Sequence, residues 1–143
     1  MESDKHHSLV KKIYNYVRKL YFVEDGLIES DIYEIHGNVT RMPEGFIPDL
    51  FYMHNNLLII GEAKTNDDIE KEHSFRQYNS YFKYISNKSK KGINCIFIIA
   101  VPWECTKTAL RIFKKYSENI RVKLVIINEL GVYKEYEKNC IGK

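Results

Sequence analysis

"GFIPDLFYMHNNLLIIGEAKT", residues 45–65, sets the architecture of this chain. Two strand-like runs flank "HNN" at 54–56, and Asn tolerates the left-handed conformation that a tight hairpin turn needs. The stretch therefore predicts a β-hairpin, yet it carries Asp49, Glu62 and Lys64 among apolar neighbours. A charge beside a hydrophobic core is costly unless it has a partner, a metal or a chemical task. Side chains alternate along a strand, so Glu62 and Lys64 share a face. Ala63 points to the other face, while its carbonyl lies beside the Glu62 side chain. Pairing of the two strands brings Asp49 to the same end of the sheet.

Working outward, "DKHHSLVKKIYNYVRKLYF" from residue 4 places Leu9, Val10, Ile13, Val17 and Leu20 on one helical stripe, with Ser3 or Asp4 to cap it. "SDIYEIHG", 30–37, predicts a strand that stops at Gly37, and 38–45 is loop by composition. After the hairpin, the segment from Asn66 predicts a helix capped by Asn66 or Asp67 and closed by the lysine-rich "NKSKKG". "INCIFIIAV", 93–101, is a continuous apolar run of strand length, expected to be covered on both faces. "TKTALRIFKKYSEN" predicts a second crossover helix, and "VKLVIIN", 122–128, another buried strand. The polar tail from Gly131 is either an edge strand or frayed. Early strands are close enough for antiparallel hairpins, whereas later ones joined by helices run parallel. The expected fold is α/β, a mixed β-sheet flanked by helices on both faces.

The 143 residues suit a single domain spanning 1–143. A hydrophobic fraction of 44% with 29% charged residues excludes a disordered chain. The net charge of +3 is compatible with nucleic acid but does not demand it. Cys95, Cys105 and Cys140 lack metal-ligand spacing and a disulfide pattern, which points to a reducing compartment. No apolar run approaches the ~20 residues needed to cross a bilayer. The N-terminal "MESDKHHSLVKK" has no apolar secretory core. A cytoplasmic protein with no membrane partner is expected.

Two carboxylates and a backbone carbonyl form an all-oxygen site that suits Mg²⁺, a hard cation that keeps several waters. A lysine beside it can orient or deprotonate a water, or stabilise charge on a phosphate. The set fits attack of metal-activated water on a phosphodiester.

Pro48-Asp49, a hairpin, and then Glu62-Ala63-Lys64 resemble the PD-(D/E)XK nuclease superfamily, whose restriction-endonuclease-like core has a similar strand order. Gln77 and Tyr81 on the following helix match the Q-x-x-x-Y element of its RecB-like and Cas4-like branches. The resemblance covers most of the chain. It implies a Mg²⁺-dependent nuclease, with Mn²⁺ able to substitute, that hydrolyses DNA. Asp49, Glu62 and Lys64 would be catalytic, and Asp49, Glu62 and the Ala63 carbonyl would hold metal. Gln77 and Tyr81 would place the DNA backbone. At ~100° per residue, Phe75, Tyr78, Phe82 and Ile85 form the core stripe of that helix. His73, Gln77, Tyr81 and Tyr84 form another, with Arg76 beside it, so His73 and Arg76 join the substrate-binding candidates. The family has one further acidic residue or histidine from the first helix or just after it. His6 is chosen as a metal ligand because it extends the inward stripe; His7, Glu24, Glu29, Asp31 and Glu34 are the alternatives.

Arg41, Lys88, Lys90, Lys91, Lys107, Arg111, Lys114 and Lys115 are available for phosphates, which give affinity without sequence information. With no obvious target-recognition domain, the chain is expected to be an endonuclease directed by DNA structure or by partners, as a homodimer or within a larger nuclease or defence assembly. Two other readings stand beside this: a non-catalytic nucleic-acid-binding or assembly module on the same fold, and a hydrolase of small phosphate esters.

Overall fold

The computed structural model describes residues 4–21, 23, 27–30 and 39–137. The described residues form an α/β protein, a six-strand mixed sheet with three α-helices packed against it. In chain order the elements are α1 (Asp4–Tyr21), β1 (Glu29–Ser30), β2 (Leu50–His54), β3 (Leu57–Ala63), α2 (Glu72–Lys90), β4 (Asn94–Ala100), α3 (Thr106–Tyr116), β5 (Lys123–Ile127) and β6 (Tyr133–Glu137).

The strands lie side by side in sequence order. β1, β2 and β3 are antiparallel, β3, β4 and β5 are parallel, and β6 returns antiparallel to β5. The parallel pairs are those bridged by α2 and α3, because a parallel return needs a crossover long enough to hold a helix. The β2–β3 turn is the expected two-residue one. Asn55 and Asn56 have φ of 51° and 66°, the left-handed pair whose twist matches a hairpin. It pairs His54 with Leu57 and, at the far end, Leu50 with Gly61.

Alternation along the strands builds two cores. On one face Leu50, Ile59, Ile98 and Val125 pack against Leu9, Val10, Ile13 and Val17 of α1. On the other, Leu58, Ile60, Phe97, Ile99 and Leu124 meet Tyr78, Tyr81, Phe82 and Ile85 of α2 and Phe113 of α3. β4 and β5 are covered on both faces, which is why they are unbroken apolar runs. The Phe97 ring lies 4.7 Å from Phe82 and 5.0 Å from Phe113, so much of the aromatic supply sits in this second core. Gly61 governs how closely α1 docks. A Cβ there would stand 2.8 Å from Cγ2 of Ile13 and 3.3 Å from Cβ of Leu50.

One expectation changes. The helix after the hairpin starts at Glu72 rather than beside Asn66 or Asp67, with extended Lys71 as its cap residue. Residues 66–70 form turns instead: the Asp68 and Ile69 amides donate to the Thr65 carbonyl, and the Thr65 hydroxyl donates to the Asp68 carboxylate. Short polar side chains here bond locally and compete with helix. The turn is fastened by the Ser74 hydroxyl to the Asp68 carbonyl and the Tyr78 hydroxyl to the Ile69 carbonyl. Of the strand expected over 30–37, only Ser30 is described, within β1; residues 31–38 lie outside the described residues. The polar tail provides an edge strand, β6, as far as Glu137; Ser3 and Cys140 lie outside the described residues. Cys95 and Cys105 are free and buried. Among the described residues no helix is long and apolar enough to cross a membrane.

Candidate active site

The β2–β3 register places Asp49, one residue before Leu50, opposite Glu62, one residue after Gly61. The ladder ends here, and side chains take over its hydrogen bonds. The Asp49 amide donates to Oε1 of Glu62 at 3.3 Å, and the Ala63 amide donates to Oδ2 of Asp49 at 2.8 Å. The two carboxylates thus interlock across the open end of the hairpin.

Around them α1 and α2 each bring a group from opposite faces of the sheet. From α1, Nε2 of His6 lies 3.2 Å from Oδ2 of Asp49. From α2, the buried Tyr81 hydroxyl donates to Oε1 of Glu62 at 3.0 Å. The Lys64 ammonium lies 3.4 Å from Oε2 of Glu62 and donates a short hydrogen bond to Oε1 of Gln77. Glu62 is only 3% exposed. The cluster sits in a cavity of about 720 Å³ whose lining includes His6, Asp49, Glu62, Lys64, His73 and Gln77.

Burial raises the Glu62 pKa to about 8, and the neighbouring Asp49 charge adds to the rise. Lys64, the Tyr81 hydroxyl and the Asp49 amide act the other way. The Tyr81 hydroxyl is itself pushed far above the usual tyrosine value by burial, then by the Glu62 and Asp49 charges, so it stays a donor. Two carboxylates stand against one buried ammonium, which leaves this cluster one positive charge short. A proton on Glu62 or on His6, or a cation in the cavity, makes up the difference.

The donor set fits a hard cation. Oδ2 of Asp49 already accepts from the Ala63 amide and lies beside His6. Among the described residues, no donor is bonded to Oδ1. In a strand the amide and carbonyl of one residue point the same way, so the Ala63 carbonyl faces Asp49 as its amide does. The Lys64 amide faces away, donating to the Ala100 carbonyl at 3.0 Å. Among the described residues, no group of three or more His, Cys, Asp or Glu side chains is arranged to hold a metal ion. Asp49, Glu62 and the Ala63 carbonyl could hold only a hard cation that keeps most of its waters, as Mg²⁺ does.

The other expected residues divide clearly. Gln77 grips Lys64, and Tyr81 is buried beneath Glu62. His73 lines the cavity with its ring edge-on to Phe46, at 5.7 Å. Arg76 is not part of the lining and pairs with Glu72 on the outer face of α2 at 3.1 Å. His7 is exposed, and Glu29 is taken up at 2.7 Å by the amide and hydroxyl of Thr40. Glu24, Asp31 and Glu34 lie outside the described residues.

None of the other basic residues singled out in the sequence lines the cavity. Arg111 pairs with Glu70 at 3.0 Å, and Arg41 bonds the Gly45 carbonyl at 3.0 Å. Lys5 and Lys71 do line it, and sequence reasoning missed both. Lys71 was hidden by the misplaced helix start, which put it inside α2 instead of at its mouth. Comparison with protein families, curated proteins and solved structures finds no significant match to this chain.

Proposed function

We propose that this chain is a metal-dependent nuclease that hydrolyses DNA phosphodiester bonds, built on a restriction-endonuclease-like version of the α/β sheet described above. The observation that carries the reading is the convergence of Asp49, Glu62 and Lys64 in one open cavity, with Glu62 almost wholly removed from water. Two interlocked carboxylates at a strand end are accounted for by hairpin closure. A buried lysine with a glutamine holding it, opening onto a cavity, asks for a further role.

Asp49, Glu62 and the Ala63 carbonyl would hold Mg²⁺ or Mn²⁺. When bound, the ion supplies Lewis acidity and an acidified water. The Lys64 ammonium would orient that water or offset charge on the phosphate. Gln77 would fix Lys64 by its carbonyl, leaving its amide group to donate. Tyr81 would hold Glu62. His6, whose ring nitrogen is already committed to Asp49, would orient that carboxylate rather than bind metal itself. Lys5, Lys71 and His73 on the walls would contact flanking phosphates. Targeting would come from DNA structure or from a partner in the cytoplasm, with a second copy of the chain able to lengthen the groove.

The second reading, a non-catalytic nucleic-acid-binding module, has one observation in its favour: Asp49 and Glu62 both bond hairpin amides and so have a structural task without metal. The two are separated by incubating labelled linear, circular, branched and single-stranded DNAs with Mg²⁺, Mn²⁺ or EDTA. Hydrolysis that requires metal and falls by about 10²-fold or more in Lys64→Ala, with DNA binding retained, supports the nuclease. Binding without cleavage under every condition removes it, and full activity in Lys64→Ala removes the role given to the lysine.

A further inference from the structure

Trp103, the chain's one tryptophan, stands 64% exposed in a turn directly after β4. A large aromatic at the surface is unremarkable alone, but two features set this one apart.

The first is its position. Ala100 pairs with Ala63, so Trp103 leaves the sheet at the same end as Glu62 and Lys64, one strand away. The turn leads into α3, whose Arg111 pairs at 3.0 Å with Glu70, in the segment between β3 and α2 that lines the cavity through Thr65, Asp68 and Lys71.

The second is that its backbone is fastened. The Trp103 amide donates to Oε1 of Glu129 at 2.6 Å, and its carbonyl accepts the Thr106 hydroxyl at 2.7 Å. The Cys105 amide closes the turn onto the Pro102 carbonyl at 2.9 Å. The indole is thus a ring on a fixed mount. Leu130 and Val132, 75% and 60% exposed, extend the apolar surface from the loop that Glu129 anchors.

We propose that Trp103 is a stacking platform for an unpaired nucleobase of the strand whose backbone enters the carboxylate cavity. This rests on the nucleic-acid reading of that cavity. Every base has a π-face, so stacking is tolerant of sequence, and paired bases inside a duplex do not offer that face. Lys5 on the cavity wall supplies positive charge for the adjoining phosphate. The platform makes the site selective for single-stranded, frayed or branched DNA over continuous duplex.

The lone tryptophan provides its own probe. Indole fluorescence is titrated with single-stranded oligothymidylate and with a blunt hairpin whose loop is a non-nucleotide linker, in EDTA so that no strand is cut. Saturable quenching by the single strand, with little by the hairpin, is expected. Labelled-oligonucleotide anisotropy then compares variants. Trp103→Ala should weaken single-strand binding by about 5- to 100-fold, the range of one lost stacked base, with Trp103→Phe in between. Hairpin binding should stay within about twofold across this series. Unchanged fluorescence at saturating oligothymidylate, or equal affinity in Trp103→Ala, overturns the platform. A fluorescence change that tracks protein concentration alone also overturns it and assigns the patch to a second copy of the chain. Failure of the nuclease reading looks different: quenching persists in wild type and in Lys64→Ala, yet no strand is cut when Mg²⁺ is restored.

Discussion

Glu62→Gln tests whether the buried carboxylate is a charge waiting for a counter-ion. The ordinary value of 4.5 rises to about 8 in the folded, metal-free protein, mainly through burial and then through Asp49. The folded state therefore holds a proton that the unfolded chain releases near pH 4.5. The stability contributed by that proton is complete below the unfolded value. It is lost progressively as pH rises through the folded one. At about 1.4 kcal/mol per pKa unit, the displacement is worth a few kcal/mol. For a domain of this size, about 3 °C of melting temperature accompanies each kcal/mol. The metal-free wild type should thus lose on the order of 10–15 °C between pH 5 and pH 9 through this group. Gln keeps an oxygen for the Asp49 amide and the Tyr81 hydroxyl but has nothing to titrate, so its curve should be flatter and should cross above wild type at high pH. Mg²⁺ selects the ionised carboxylate. It should therefore restore wild type most strongly at high pH and leave Glu62→Gln nearly unmoved. Differential scanning fluorimetry over a pH series, with and without Mg²⁺, reads all four curves. Parallel wild-type and Gln curves, or equal Mg²⁺ stabilisation of both, would refute the buried-charge account.

Two further outcomes follow from the packing around the site. Tyr81→Phe leaves an oxygen of Glu62 without its hydroxyl donor in a dry environment, so chemical denaturation should show a loss of about 2 kcal/mol. Calorimetry should show a change in Mg²⁺ affinity, which a purely structural tyrosine would not produce. Gly61→Ala drives a methyl into Ile13 and Leu50, and should cost about 1–3 kcal/mol. Because α1 carries His6, the displaced helix should weaken metal binding although the substitution faces away from the cavity; unchanged Mg²⁺ affinity in a folded Gly61→Ala protein would show that α1 does not position Asp49.

The sequence by itself determined the local order of this protein, because local order follows from periodicity and turn chemistry. Asn55 and Asn56 specify the hairpin, and the alternation of Glu62 and Lys64 about Ala63 puts both charges on one face. The unbroken apolar runs of β4 and β5 announce burial on both sides, and the stripe from His6 to Val17 announces the docked face of α1. Asp49, Glu62, Lys64, Gln77 and Tyr81 were legible for the same reason, since strand register and helical phase bring them to one end of the sheet.

Only the tertiary structure decided how those groups divide the work. His6 meets Asp49 because α1 packs over Gly61, a contact between segments nearly fifty residues apart in sequence. Tyr81 turns inward to Glu62 and leaves the polar surface, and Gln77 is spent on Lys64. Arg76 turns out to Glu72, away from the cavity, although it is adjacent to Gln77 in the chain. Lys5 and Lys71 meet at the cavity from the start of one helix and the mouth of another, and Trp103 follows β4 at the same end of the sheet. No window of sequence contains these meetings, because burial, charge pairing and the close approach of α1 to the sheet are settled only when distant segments compete for the same space.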